Sequence, residues 1–141
     1  MMGKRSTPRL WLVRILVGLV AGWNLQAALI FMFRPDAYLA GFELNGLPGE
    51  TALRGVGVLF LMWIVPYLVA LWNPIEYRLV LYIALVMQFI GVVGEALILL
   101  GLPSEHTVLR TSLLRFIAFD GTGLILLAAG ALIVHYAAHQ S

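Results

Sequence analysis

The stretch Thr51-Ala-Leu-Arg-Gly-Val-Gly-Val-Leu-Phe-Leu-Met-Trp-Ile-Val-Pro-Tyr-Leu-Val-Ala-Leu-Trp72 decides the fold. Between Arg54 and Glu76 it carries no charged residue. A helix needs about 20 predominantly apolar residues to cross about 30 Å of hydrocarbon, and this run supplies them. A buried strand or a core helix of a soluble domain is much shorter or is interrupted by polar residues. The run therefore reads as a transmembrane helix.

Three further segments pass the same test. One covers residues about 10–33 and is interrupted only by Arg14, near its start. Another covers about 75–100, with Glu95 as its single interior charge. The last covers about 108–135 and contains Arg115 and Asp120. Residues 34–50, with Pro35, Gly41, Gly46, Pro48 and Gly49, form the one long connection. Asn73-Pro74 predicts a tight turn with proline at the first position of the next helix. Gly101-Leu102-Pro103-Ser104 predicts a helix stop followed by a cap. Pro66, inside the second span, predicts a kink. The expected fold is an all-α, antiparallel four-helix transmembrane bundle forming one domain of 141 residues.

Composition agrees. Hydrophobic residues make up 62% and charged residues 11%, against about half and a quarter in soluble domains. A globule of this length cannot hide so much apolar surface, so lipid must cover it. The absence of cysteine excludes disulfides, thiolate nucleophiles and iron–sulfur ligation in this chain. No basic stripe with interleaved aromatics points to nucleic acid. The basic N-terminus, followed by an apolar run too long for a signal h-region, predicts a retained signal-anchor helix. Lys4, Arg5, Arg9, Arg14 and Arg78 on one side face Arg34, Arg54, Arg110 and Arg115 on the other. Because the N-terminal cluster usually dominates, both termini are expected in the cytoplasm and the long loop outside.

Polar residues inside apolar spans are costly and turn inward, so they are the informative ones. In the first span these are Asn24 and Gln26. Arg14, Gly18, Gly22 and Gln26 share a stripe, and Gly18 and Gly22 form a GxxxG that suits close helix packing. In the third span Ala84, Gln88, Gly91 and Glu95 follow 4-3-4 spacing and predict an interior seam of small and polar groups. Arg115 and Asp120, five apart on one helix, are poor partners for each other and should look to other helices. The expectation is an interhelical ion-pair network of Arg54, Glu95, Arg115 and Asp120. It would line a cavity open to the extracytoplasmic side, with Gln88 and Asn24 at its floor. Such a network either binds a small ligand or quinone headgroup, or only fixes helix register; charge balance weighs toward register. Arginines close by would keep both carboxylates ionised.

The other polar positions read more plainly. His135 and His139 have a chelating i, i+4 spacing but no third ligand, and no metal site is predicted. His106 reads as a loop residue. Trp63 and Tyr67 beside Pro66 fill space around the expected kink or stack on a flat ligand. No nucleophile elbow, zincin, P-loop or dinucleotide fingerprint is present, and no catalytic residue is expected.

The entry Arg14 to Gly18, the segment Ala52-Leu53-Arg54-Gly55-Val56-Gly57 and the segment Gly91-Val92-Val93-Gly94-Glu95 resemble the DoxX-like group of small bacterial four-helix membrane proteins. The resemblance covers most of the chain in architecture. It implies residence in a bacterial cytoplasmic membrane, association with quinone-using redox complexes for some members, and Arg54 and Glu95 as the positions to watch. The function expected is that of a small non-catalytic membrane protein, an accessory subunit or lipophilic-ligand binder, within a homo-oligomer or a larger membrane complex. Two alternatives stand beside it: a quinone-pocket subunit of a membrane oxidoreductase, and a small proton-coupled transporter using Glu95 or Asp120.

Overall fold

The computed structural model describes residues 7–139; Lys4 and Arg5, part of the cluster used above for orientation, lie outside them. Four long helices carry the fold: α1 (Thr7–Phe33), α3 (Gly46–Trp72), α4 (Arg78–Gly101) and α5 (Thr107–His139). A short helix α2 (Asp36–Leu39) and a 3-10 turn (Ala40–Phe42) sit between the first two. The shortest long helix has 24 residues and rises about 36 Å, which exceeds a bilayer core. All four are long and apolar enough to cross a membrane. The protein is an all-α, multi-pass membrane protein.

The helices alternate in direction. Arg14, near the start of α1, donates to the Trp72 carbonyl at the end of α3 at 2.8 Å. A Cβ on Gly130, late in α5, would meet Val13, early in α1. Around the bundle the order is α1, α3, α4, α5, and α5 closes back on α1. One half of the interior packs Val13, Val17, Val20, Ala70, Leu81, Ala84, Leu127 and Val134. The half nearer the long loop packs Ala28, Phe31, Phe60 and Ile64, with Tyr38, Phe42, Trp63 and Phe116 against them. Phe31 is its centre, within 4.9–6.2 Å of Tyr38, Phe42, Phe60 and Phe116. The outer surface is apolar, with Leu59, Met62, Phe89, Ile90, Leu97 and Ile125 exposed as lipid-facing side chains are.

Several boundaries differ from the sequence reading. The second span begins at Gly46, not near residue 51, because Gly46 takes φ +61°, which lets the chain turn into the helix. Pro48, in the first turn, lacks only an N–H that would have no helical partner anyway. The third span begins at Arg78 and residues 74–77 form a turn, so Pro74 is not the first residue of that helix. The long connection is also not an open loop. Tyr38 and Phe42 anchor it on Phe31, and Ser112 donates to the Gly41 carbonyl at 2.6 Å.

Glu43 closes this connection onto α5. It adopts the left-handed region at φ 54°, one of the sparsely populated conformations for a non-glycine residue. Its Oε2 pairs with His106 Nδ1, and its Oε1 accepts from the Leu109 N–H in the first turn of α5. The carboxylate thereby satisfies an orphan donor at a positive helix end. His106 is thus a partner in a latch rather than a plain loop residue. Its hydrogen bond to Glu43 lifts the His106 pKa above the ordinary histidine value, and the same bond holds Glu43 below the ordinary glutamate value.

Glycine packing corrects the GxxxG reading. A Cβ on Gly22 would meet nothing within 4 Å, and one on Gly18 would make an ordinary contact with Leu71 at 3.6 Å. The close approach is at Gly57, where a Cβ would come within 2.9 Å of the Ala28 carbonyl and 3.1 Å of the Met32 nitrogen. Both are backbone atoms and cannot yield. Gly57→Ala should therefore destabilise the bundle by about 1–3 kcal/mol, whereas Gly22→Ala should be neutral or stabilise it by up to about 1 kcal/mol. Chemical unfolding in mixed micelles measures both, and equal effects would refute the assignment of the α1–α3 contact.

The latch makes a separate prediction. His106, raised on folding, contributes stability that is complete below its ordinary value and lost as pH rises through the raised value. Glu43, lowered on folding, contributes stability that is present above its ordinary value and lost as pH falls through the lowered value. The latch is therefore fully made between about 4.5 and 6.5, the two ordinary values. An NMR titration of His106 should show a midpoint above that of a free histidine, returning toward it in Glu43→Gln and at high salt.

Candidate functional site

Between the two halves of the interior lies a layer of polar groups in otherwise apolar surroundings. Asn24 on α1, Gln88 on α4 and Asp120 on α5 are 1%, 3% and 2% exposed. Each comes from the buried stripe of its helix. Gln88 organises the layer. Its side-chain oxygen accepts from the Tyr67 hydroxyl on α3, and its Nε2 donates to both the main-chain oxygen and Oδ1 of Asp120 at 3.1 Å. One amide thus ties three helices together. Asn24 is satisfied within α1, donating to the Val20 carbonyl at 2.9 Å.

Small residues make room for this layer. A Cβ on Gly123 would approach Gln88 Nε2 to 3.1 Å, and one on Gly91 would approach the Trp63 ring to 3.2 Å and Asp120 Oδ2 to 3.8 Å. Gly91 therefore lets the Trp63 ring and the Asp120 carboxyl come close to α4. Gly123 does the same for the Gln88 amide.

Glu95 completes the site. It lies one helical turn beyond Gly91 on the same seam of α4, with the Asp120 carboxyl as its neighbour. No N–H or O–H of the described residues reaches Glu95 Oε2, although that atom is buried.

Neither arginine of the expected network joins this pair. Arg54 is an exposed residue on α3 and pairs with Glu50 one turn earlier, at 3.3 Å. Arg115 lines a separate cavity of about 320 Å³ between α1, the α2 segment and α5, with Tyr38, Gly41, Ser112 and Phe116. Among the described residues no Lys, Arg or His forms an ion pair with Glu95 or Asp120. The physical reason is azimuth. The five-residue step from Arg115 to Asp120 turns the two side chains to different faces of α5, and Arg54 finds its carboxylate on its own helix. The charge-balanced four-residue cluster is therefore replaced by a carboxyl pair held by an amide and a phenol.

Glu95 faces a cleft between α3 and α4. The cleft encloses about 440 Å³, within the range of small-ligand sites. Its walls include Phe31, Phe60, Trp63, Ile90 and Phe116, and among the described residues Glu95 is the one ionisable residue lining it. Gly91 and Gly94 open its α4 side. Gly57 and Gly123 have structural roles here that the sequence reading did not assign, and Trp63 and Tyr67, read there as filling space around the kink or stacking on a flat ligand, line the cleft and bond Gln88 respectively. Tyr67 and Gly57 were within reach of that reading, because Leu53, Gly57, Phe60, Ile64 and Tyr67 repeat at 4-3-4-3 and form the buried face of α3. The His135 and His139 rings lie 4.3 Å apart, tilted by 42°, and His139 Nδ1 is bonded to the His135 carbonyl. Among the described residues no group of three or more His, Cys, Asp or Glu is placed to hold a metal ion.

If Gln88 is the hub, its loss must strand two buried groups together. Gln88→Leu should destabilise the bundle by about 1–3 kcal/mol, the cost of unsatisfied buried partners. Tyr67→Phe, which removes one donor and leaves the amide bonded to Asp120, should cost about 0.6 kcal/mol, the mean for interhelical hydrogen bonds in membranes. Unfolding titrations of the two variants measure the difference; a Gln88→Leu protein as stable as wild type would remove the hub.

Comparison with protein-family models, with curated proteins and with solved structures finds no match to this chain.

Proposed function

We propose that this protein is a small non-catalytic membrane protein that binds a lipophilic ligand in the α3–α4 cleft. It would work as an accessory subunit of a larger membrane complex or as a homo-oligomer. One observation carries the reading: an apolar, aromatic-walled cleft carries a single ionisable group among the described residues, Glu95, with one buried, unpartnered carboxyl oxygen. Ligand sites commonly combine an apolar lining with a few placed polar groups. Ionisable residues inside a membrane mark function by default because their burial is costly. The two terms meet here in one place.

The proposed setting is a bacterial cytoplasmic membrane with both termini inside, supported by the basic N-terminal cluster and the DoxX-like resemblance. That resemblance also makes a quinone one ligand the cleft would be expected to meet. A second reading, proton-coupled transport, is favoured by one specific feature: a carboxyl that lines a cleft, with no ion-pair partner among the described residues, can gain or lose a proton as a ligand enters. The α4 helix, only 11% buried in its most apolar window, is the surface offered to neighbours or lipid.

Native mass spectrometry of protein extracted gently from its own membrane tests the reading. A lipophile should be retained at a defined stoichiometry. Gly94→Phe should abolish retention while preserving helix content, because Gly94 lines the cleft and a Cβ there meets nothing within 4 Å. A wild-type protein that carries no more lipophile than Gly94→Phe would overturn the reading.

A further inference from the structure

We infer that the ligand of the α3–α4 cleft is a lipophilic organic cation, and that it binds in exchange for one proton on the Glu95–Asp120 pair. The inference rests on the cleft reading above and specifies its ligand by charge.

The argument begins with what the protein leaves unfilled. Asp120 is held by Gln88 through two hydrogen bonds from one amide. Glu95 has no such support: nothing among the described residues donates a hydrogen bond to its buried Oε2. Among the described residues it is also the only ionisable side chain lining the cleft. A site built for an anion would place a cation there, and the two candidates are engaged elsewhere, Arg54 with Glu50 and Arg115 in the other cavity. A site for a purely apolar molecule would have no use for a carboxyl at its end, where burial makes it costly.

The walls fit the same ligand. Phe31, Phe60, Trp63 and Phe116 line the cleft. Aromatic rings attract a cation electrostatically, the more so where water is excluded. They also accept the apolar substituents that make an organic cation lipophilic. An inorganic ion would find one carboxyl pair and no ring of oxygen ligands, so the apolar walls select against it.

Charge balance supplies the mechanism. Among the described residues no Lys, Arg or His is ion-paired with either carboxyl, and an uncompensated buried charge is costly, so the exchange starts from a neutral cleft with Glu95 carrying its proton. When the cation L⁺ enters, the Glu95 O–H bond breaks, the proton leaves to water, and the carboxylate pairs with L⁺. One positive charge enters and one departs, so the cleft stays neutral throughout. The other groups facing the pair are few. Tyr67 on α3 reaches it through Gln88, and Asn24 and Trp23 on α1 do not titrate. Arg115 on α5 lines the other cavity, and Glu43 and His106 are closed on each other at the loop end.

The test uses full-length protein in uncharged nanodiscs, titrated with tetraphenylphosphonium and, separately, with a neutral short-chain quinone. Binding is followed by Trp63 fluorescence, with Trp63→Phe identifying its share of the signal, and proton release by a pH dye in weak buffer. The expected result is one proton released per cation bound and a Kd that weakens about tenfold per unit of falling pH, as one-for-one linkage requires. Glu95→Gln should weaken the cation at least tenfold and abolish proton release, and Glu95→Asp should restore both in part. Unfolding titrations show whether Glu95→Gln is folded; should it not be, wild-type proton release decides alone. If the quinone binds and the cation does not, or the cation binds without proton release, this inference fails and the cleft reading survives. If neither ligand binds and Gly94→Phe behaves as wild type, both fail.

Discussion

The arrangement of this bundle depends on one side-chain amide. Gln88 sits 3% exposed inside a helix that is otherwise nearly all apolar, where an unsatisfied polar group has no water to turn to. It therefore fixes the helices that satisfy it. Tyr67 must bring α3 to one side of it and Asp120 must bring α5 to the other. A one-position slip of either helix would rotate its partner away by about 100° and leave the amide stranded. Apolar packing alone would not impose that requirement, because lipid tails are as apolar as the bundle's own side chains.

The same requirement sets the shape of the cleft. At the level of Gln88 the helices are drawn together, and Gly91 and Gly123 remove the Cβ atoms that would keep them apart. Beyond it, toward the long loop, α3 and α4 share no such tie, and the space between them is left to the walls of the cleft. Glu95 lies at this transition, one turn past Gly91. It has Asp120 as its neighbour and lies far enough out to face the cleft. The aromatic cluster around Phe31, with the connection held down by Glu43 and Ser112, closes the end of the same half.

What could be read from the residues alone follows from length scales. The four spans were legible because a charge-free run of bilayer length fits almost nowhere except across a bilayer. The seam Ala84, Gln88, Gly91 and Glu95 was legible because 4-3-4 spacing fixes a face within one helix. Anything that needed the relative rotation of two helices was not. Arg54 and Arg115 were grouped with the carboxylates by depth alone, and depth says nothing of azimuth. The Arg54 error also traces to a boundary. With the helix begun near residue 51, Glu50 fell in the loop; begun at Gly46, the Glu50–Arg54 spacing is an i, i+4 pair that settles the arginine locally. The residues around α2 carried too few positions to show a period, so the closure of Glu43 on His106 left no trace in the pattern.

Removing the two arginines from the site changes its chemistry. With arginines beside them, Glu95 and Asp120 would be fixed anions whose charge is spent within the protein, and the cluster would serve register alone. Without them the pair has one structural member and one free member. Asp120 is committed to Gln88 and through it to the fold. Glu95 has no such tie: its buried Oε2 is without a hydrogen-bond partner among the described residues, and it lines the cleft. A proton on Glu95 can therefore leave without breaking a tie between helices. The division of labour between two carboxyls in contact, one holding the bundle and one facing the cleft, is what allows a buried charge to be exchanged here while the helices stay in place.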